Sequence, residues 1–180
     1  TDVITKAQNA MFMVHRALDS AVLDKVADRL ARAEMVYAFG SGGNSSMIAN
    51  ELQNRLFRFG LHVTASSDHG MQLMLTAAAK PADVLIGSSF SGRNAELVRS
   101  FALARGMKIT TIALTQSNSP VAQSADIVIP IDLAEGNNIF RPTSTRIAYL
   151  AAVDILASLV AYNIQPEATV TLRRIKQQLV

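Results

Sequence analysis

Two hydrophobic patterns alternate along this chain: short continuous apolar runs, and longer stretches with apolar residues three or four apart. The first pattern predicts buried strands and the second predicts helices. Val3 to Leu18 carries a mixed apolar face and predicts a helix. Asp19 or Ser20 is placed to cap a second helix, where Val22, Leu23, Val26 and Leu30 form one stripe. The period then changes. Met35 to Phe39 is a short apolar run that ends at Gly40, as a buried strand does. Helical spacing returns from Met47 to Phe59, with Ile48, Leu52, Leu56 and Phe59 on one side. Further strands are predicted at 61–65, 83–87, 108–114 and 126–131, separated by helices at 68–79 and 95–105 and one helical turn at 120–124. Pro81 and Gly106 punctuate the two longer helices. A long apolar helix follows over 144–162, and Pro166 opens a last one carrying Leu172, Ile175 and Leu179.

Five short apolar strands separated by helices predict a parallel sheet covered on both faces, a three-layer α/β/α sandwich with right-handed crossovers. No repeat or low-complexity linker divides the 180 residues. The expected organisation is therefore one domain over 1–180, with N-terminal helices in 1–33 and C-terminal helices in 144–180 flanking the sheet. Ligand sites in such sheets lie beyond the carboxyl ends of the strands, where the strand order reverses.

Composition narrows the function classes. The chain is 49% hydrophobic and 17% charged, which describes a folded globular domain. A net charge of +3 gives little support for nucleic-acid binding by this chain itself. The absence of Cys excludes disulfides and Cys-ligated metals, and the three His residues lack a ligand spacing, so neither metal nor cofactor is expected. The longest apolar region, 147–161, is interrupted by Asp154 and Ser158, so it is expected to be a buried helix and not a membrane span. No signal peptide opens the chain, and a cytoplasmic location is expected.

Two Ser/Gly clusters stand directly after predicted strands. In Phe39-Gly-Ser-Gly-Gly-Asn-Ser-Ser46 the glycines allow a tight turn, and Asn44, Ser45 or Ser46 is placed to cap the helix that follows. Free N–H groups at a helix start favour an anion, and serine hydroxyls add donors without bulk. The stretch is not a Walker loop, because no Gly-Lys-Ser/Thr follows. It is not a dinucleotide fingerprint either, because Ser45 stands where the third Gly belongs and no acid ends the second strand. Ile86-Gly-Ser-Ser-Phe-Ser-Gly-Arg-Asn94 repeats the arrangement after the third strand. Each turn on its own can be read as a cap and nothing more; together they are suited to hold one phosphate from two sides. A third polar turn, Thr115 to Ser119, follows the fourth strand and is placed to cap the helix at Pro120.

Ser89-x-Ser91-Gly92-x-Asn94-x-Glu96 resembles the S-x-S-G-x-T-x-E hallmark of sugar isomerase (SIS) domains, with Asn94 where Thr is commoner. The first cluster looks like the matching phosphate loop, and the likeness extends over nearly the whole chain. Asn50 to Leu56 followed by Arg58-Phe-Gly60, the Asp68-His69 pair and Thr145-Arg146 resemble the effector domain of RpiR-type transcription regulators. The resemblance implies a flavodoxin-like five-stranded parallel sheet, a phosphosugar ligand, and a homodimer or tetramer. DNA contact would come only through a separate N-terminal helix-turn-helix domain. A chain that opens at Thr1 fits a sensor domain cut from that partner. The residues matching phosphate-contacting positions are Ser41 and Ser45 of the first loop, with Ser46 beside them, and Ser89, Ser91 and Asn94 of the second.

The alternative is an aldose–ketose isomerase, which needs a base beside the substrate carbonyl. The candidates are Glu51, Glu96, His69 at the site edge, and Glu135 in a loop placed to close over a sugar. His15 and His62 are expected to be structural or exposed. Arg93 and Arg141 are available to neutralise phosphate charge. No clear pairing of base and acid emerges, so a binding role is expected over catalysis.

Overall fold

The computed structural model describes residues 2–133 and 144–180. It forms a five-stranded, all-parallel sheet in the order β2-β1-β3-β4-β5. The strands are β1 (Val36–Phe39), β2 (Val63–Ser66), β3 (Val84–Ser89), β4 (Thr110–Thr115) and β5 (Ile127–Pro130). One face carries α1 (Asp2–Ala17), α2 (Ser20–Arg32), α3 (Gly43–Phe57) and α7 (Thr145–Asn163), and α4 (His69–Ala78), α5 (Ala95–Gly106) and α6 (Pro120–Ser124) cover the other. The last helix, α8 (Glu167–Gln177), packs against α7. The expected α/β/α sandwich is the observed one.

Alternation along the strands builds two cores. Val84 and Ile86 of β3 join Ile48, Leu52 and Leu56 of α3 and Tyr149, Val153 and Leu156 of α7. Leu85 points the other way, into a smaller cluster with Phe39, Leu97, Phe101, Ile109 and Val121. β3 is buried at every position, which explains why its sequence is a continuous apolar run at first and does not alternate. Phe101 is fully covered in the smaller core. Phe101→Ala is expected to cost about 3–5 kcal/mol, read as a lower urea midpoint with an unchanged slope.

Two elements differ from expectation in informative ways. Helix α3 begins at Gly43, four residues before the apolar stripe starts at Met47, because Gly43 to Ser46 carry no apolar side chain for a periodicity to mark. β3 runs on through Ser88 and Ser89, so the second Ser cluster begins inside the sheet. Helix α7 is long and apolar enough to cross a membrane, yet Ala148, Ala152, Leu156 and Val160 are buried against α1, α2 and α3. It is the central helix of its layer. An Arg55–Asp154 contact of 2.8 Å joins α3 to α7; both groups are half exposed, so it adds at most about 1 kcal/mol. In β1, burial, and secondarily the Asp83 carboxylate, hold the Tyr37 phenol above its ordinary range, so it stays protonated.

Candidate functional site

The strand order reverses between β1 and β3. From β1 the chain moves outward through α3 to the edge strand β2, then α4 carries it back over the other face to β3. β1 and β3 are neighbours, with Phe39 opposite Gly87. One residue further, Gly40 leaves the sheet beside Ser88, while β3 continues to Ser89. Helix α3 departs on one face and α5 on the other, which opens a crevice between them. Both Ser clusters border that crevice.

In the first loop the backbone is tightly folded. Gly40 lies against the backbone of Ser45, and a Cβ on it would sit 2.0 Å from the Ser45 carbonyl oxygen. The N-cap position of α3 is Gly42, at φ +80°, and no side chain caps the helix. This corrects the expectation that Asn44, Ser45 or Ser46 serves as cap: all three lie inside the helix. The Ser46 hydroxyl donates back to the Gly43 carbonyl at 3.2 Å, which draws it into the helix. Ser45 is buried. By contrast α4, α5 and α6 are capped by Asp68, Asn94 and Ser119. The helix that starts at the switch point is thus left with its first N–H groups and their partial positive charge unclaimed by any side chain.

The edge of this loop is completed by β2 and α4. His69 Nδ1 lies 3.3 Å from the Ser41 hydroxyl, so the structure brings these two candidates together. The Gln72 side chain donates to the same hydroxyl at 3.2 Å.

The second loop spends its side-chain oxygens on its own backbone. The Ser89 hydroxyl oxygen accepts from Gly92 N–H at 3.1 Å, and that of Ser91 accepts from Arg93 N–H at 3.2 Å. Asn94 Oδ1 accepts from Glu96 and Leu97 N–H at 3.1 and 3.2 Å. What these contacts leave over is the hydroxyl protons of both serines and the Asn94 NH2, all donors. A loop whose acceptors are used locally and whose donors remain is suited to an anion. Asn94 is therefore both cap and candidate ligand contact.

The third polar turn does more than cap α6. Gln116 Nε2 donates to the Phe90 carbonyl at 2.9 Å, and the Thr115 hydroxyl donates to the Ser89 carbonyl at 2.7 Å. Ser119 sits directly against Gly92. From α7, Tyr149 donates to the Ser89 carbonyl at 3.3 Å and stacks on Phe90 with ring centroids 4.0 Å apart. Gln72, Gln116 and Tyr149 are the residues that sequence reasoning passed over. A signal existed in part: Gln72 is an uncharged polar residue within the apolar His69–Ala78 helix, and Tyr149 is the first aromatic of an Ala- and Leu-rich one.

The remaining candidates are dispersed. Glu51 lies well inside α3, 3.9 Å from Arg55. The Glu96 side chain is exposed on the first turn of α5, as are His15 on α1 and His62 before β2. Glu135 and Arg141 fall outside the described residues.

Comparison with known proteins identifies the family of the fold. The model of the SIS domain family matches residues 29–159. The HTH-type transcriptional regulator HexR of Pseudomonas aeruginosa is 36% identical over 166 residues, which is 92% of this chain and 58% of that protein. HexR of Escherichia coli is 30% identical over 177 residues, 98% of this chain and 61% of that protein. The chain thus spans less than two thirds of the length of these relatives. Among solved structures, the Vibrio vulnificus NanR protein complexed with ManNAc-6P superposes with a TM-score of 0.89 at 22% identity, covering 98% of this chain and 67% of that one. The sugar isomerase domain of an RpiR transcription factor from Sphaerobacter thermophilus gives 0.87 at 24% identity, covering 98% and 97%. At such identities the structures speak for the fold, and the family match carries the assignment: this chain belongs to the SIS domain family.

Proposed function

We propose that the chain is the phosphosugar-sensing effector domain of an RpiR-type transcription regulator. The observation that carries this reading is the side-chain-free N-terminus of α3 facing a second loop rich in spare donors across the switch-point crevice. Ser41 and Ser45 on one side, and Ser89, Ser91 and Asn94 on the other, supply donors to the phosphate, with His69 at the rim. Glu135, from outside the described residues, is kept as a candidate contact to the sugar. The two HexR relatives are transcription regulators by name, and the NanR neighbour was solved with ManNAc-6P.

Sensing requires that ligand favour one arrangement of the regulator over another. Tyr149 reaches the second loop from α7, so loop occupancy has a direct contact to the central helix of the opposite layer. In a homodimer or tetramer, a shift there would respace separate N-terminal helix-turn-helix domains on DNA. Isomerase chemistry is the weaker reading. Among the described acids near the strand ends, Asp68 accepts from Met71 N–H at 2.7 Å and Asp132 accepts from Ser117 N–H at 2.7 Å, so both are tied to backbone. The decisive experiment is a panel of aldose and ketose phosphates, followed by thermal shift for binding and by NMR for interconversion. Binding without turnover supports the sensor. Turnover abolished by changing Glu96, Glu135 or His69 supports the isomerase instead.

Asn94→Asp separates structure from recognition. Asp caps a helix as well as Asn does, and its charge suits the start of α5. Thermal stability of the free protein is expected to hold or rise. The variant lacks the amide donors and sets a negative charge beside the phosphate, so affinity should fall at least about tenfold. Undiminished affinity would remove Asn94 from the site.

A further inference from the structure

Gln72 is nearly fully buried, at 1% exposure, although it lies in a mostly apolar helix. Its Nε2 donates to the Ser66 carbonyl at 2.8 Å and to the Ser41 hydroxyl at 3.2 Å. The orientation of the amide is not ambiguous. A backbone carbonyl only accepts, so the NH2 and not the oxygen must face Ser66. The second hydrogen of the same NH2 then meets Ser41, whose oxygen must act as acceptor. One lone pair of Ser41 is thereby occupied from below, and its proton is turned away from the Gln72 amide.

We infer that Gln72 is a positioning residue that fixes the Ser41 hydroxyl as a donor toward the crevice. This rests on Ser41 being part of the anion site. Without Gln72 the hydroxyl loses the donor that fixes its orientation, while the Ser66 carbonyl keeps its Gly40 N–H contact at 3.2 Å, and an arriving phosphate must orient the Ser41 proton itself. Gln72 also ties the end of β2 to the loop after β1, so one buried amide sets both the place and the polarity of Ser41. His69 Nδ1, at the start of α4, lies 3.3 Å from the same hydroxyl, and the neutral tautomer with its proton on Nε2 is the one that accepts from it.

The test is a double-mutant cycle on binding, with the best-binding sugar phosphate of the panel as probe and inorganic phosphate as the minimal one. Gln72→Met keeps the length of the side chain and removes the donor. It is expected to weaken binding about tenfold, as is Ser41→Ala, because each removes one hydrogen bond directed at a charged group. The Gln72→Met/Ser41→Ala double variant is expected to bind no more weakly than the weaker single variant. Gln72→Glu, which can only accept when ionised, should draw the Ser41 proton down and bind more weakly than Gln72→Met. Gln72→Asn, a shorter uncharged amide that cannot span Ser66 and Ser41 together, is expected to weaken binding likewise and serves should the Met variant fail to fold. Losses that add in the double variant, or a Gln72→Met protein with unchanged affinity, would overturn the positioning role while leaving the proposed function standing. Failure of the wild type to bind any member of the panel would overturn both.

Discussion

Replacing Gly92 by Ala is expected to abolish phosphosugar binding and to lower stability by about 3 kcal/mol or more. Two independent penalties act at this position. Gly92 has φ +70°, where a Cβ crowds the backbone. The added carbon would also stand 2.2 Å from Ser119 Cβ and 2.4 Å from its hydroxyl oxygen. Ser119 has no room to retreat, because its hydroxyl donates to the Gln116 carbonyl at 2.8 Å while capping α6. The loop must therefore open, and opening it breaks the Gly92 N–H contact to Ser89 and displaces Ser91. Urea unfolding reads the stability, and calorimetric titration of a sugar phosphate reads the binding. A variant with native melting and native affinity would show that this turn does not set the site.

The second large effect is expected at Gly40. An Ala there would place Cβ 2.0 Å from the Ser45 carbonyl oxygen and 2.6 Å from its carbon. Both are backbone atoms, so no side-chain rotation relieves the contact. The start of α3 must move away from β1. The rest of α3 is anchored by Ile48, Leu52 and Leu56, all buried, so the fold is expected to survive with about 2–3 kcal/mol less stability. The displaced N-terminus carries Ser45 and the free N–H groups with it, and affinity should fall by about a hundredfold. Comparison with Gly92→Ala is informative: the Gly40 variant damages the first loop through sterics alone, whereas the Gly92 variant adds backbone strain in the second. Retained affinity in Gly40→Ala would mean that the α3 N-terminus is not where the anion sits.

Much of this architecture was legible in the linear pattern, for identifiable reasons. Each strand ended within two residues of its predicted end, because continuous apolar runs stop where Gly, Ser or Asp begins. The hallmark around Ser89 to Glu96 was visible because its residues are contiguous. What escaped was non-local. Gln72 stands 31 positions from Ser41, and Tyr149 stands 60 from Ser89. Nothing in the neighbourhood of either residue announces its partner. The capping of α3 was misread for a related reason: Asn44, Ser45 and Ser46 are all good caps by residue type, and only the close approach of Gly40 to Ser45 places the helix start ahead of them.

The order of residues alone determined which segments are strand or helix, that the strands run parallel, and that small polar turns sit at their carboxyl ends. Those properties follow from periodicity and from short-range sterics, which act between neighbours in the chain. The folded structure decided which helix start stays uncapped, which hydroxyl protons remain free, and which side chains hold them in place. These are matters of hydrogen-bond partnership across the sheet, and partners of that kind exist only once distant segments have been brought within about 3 Å of each other.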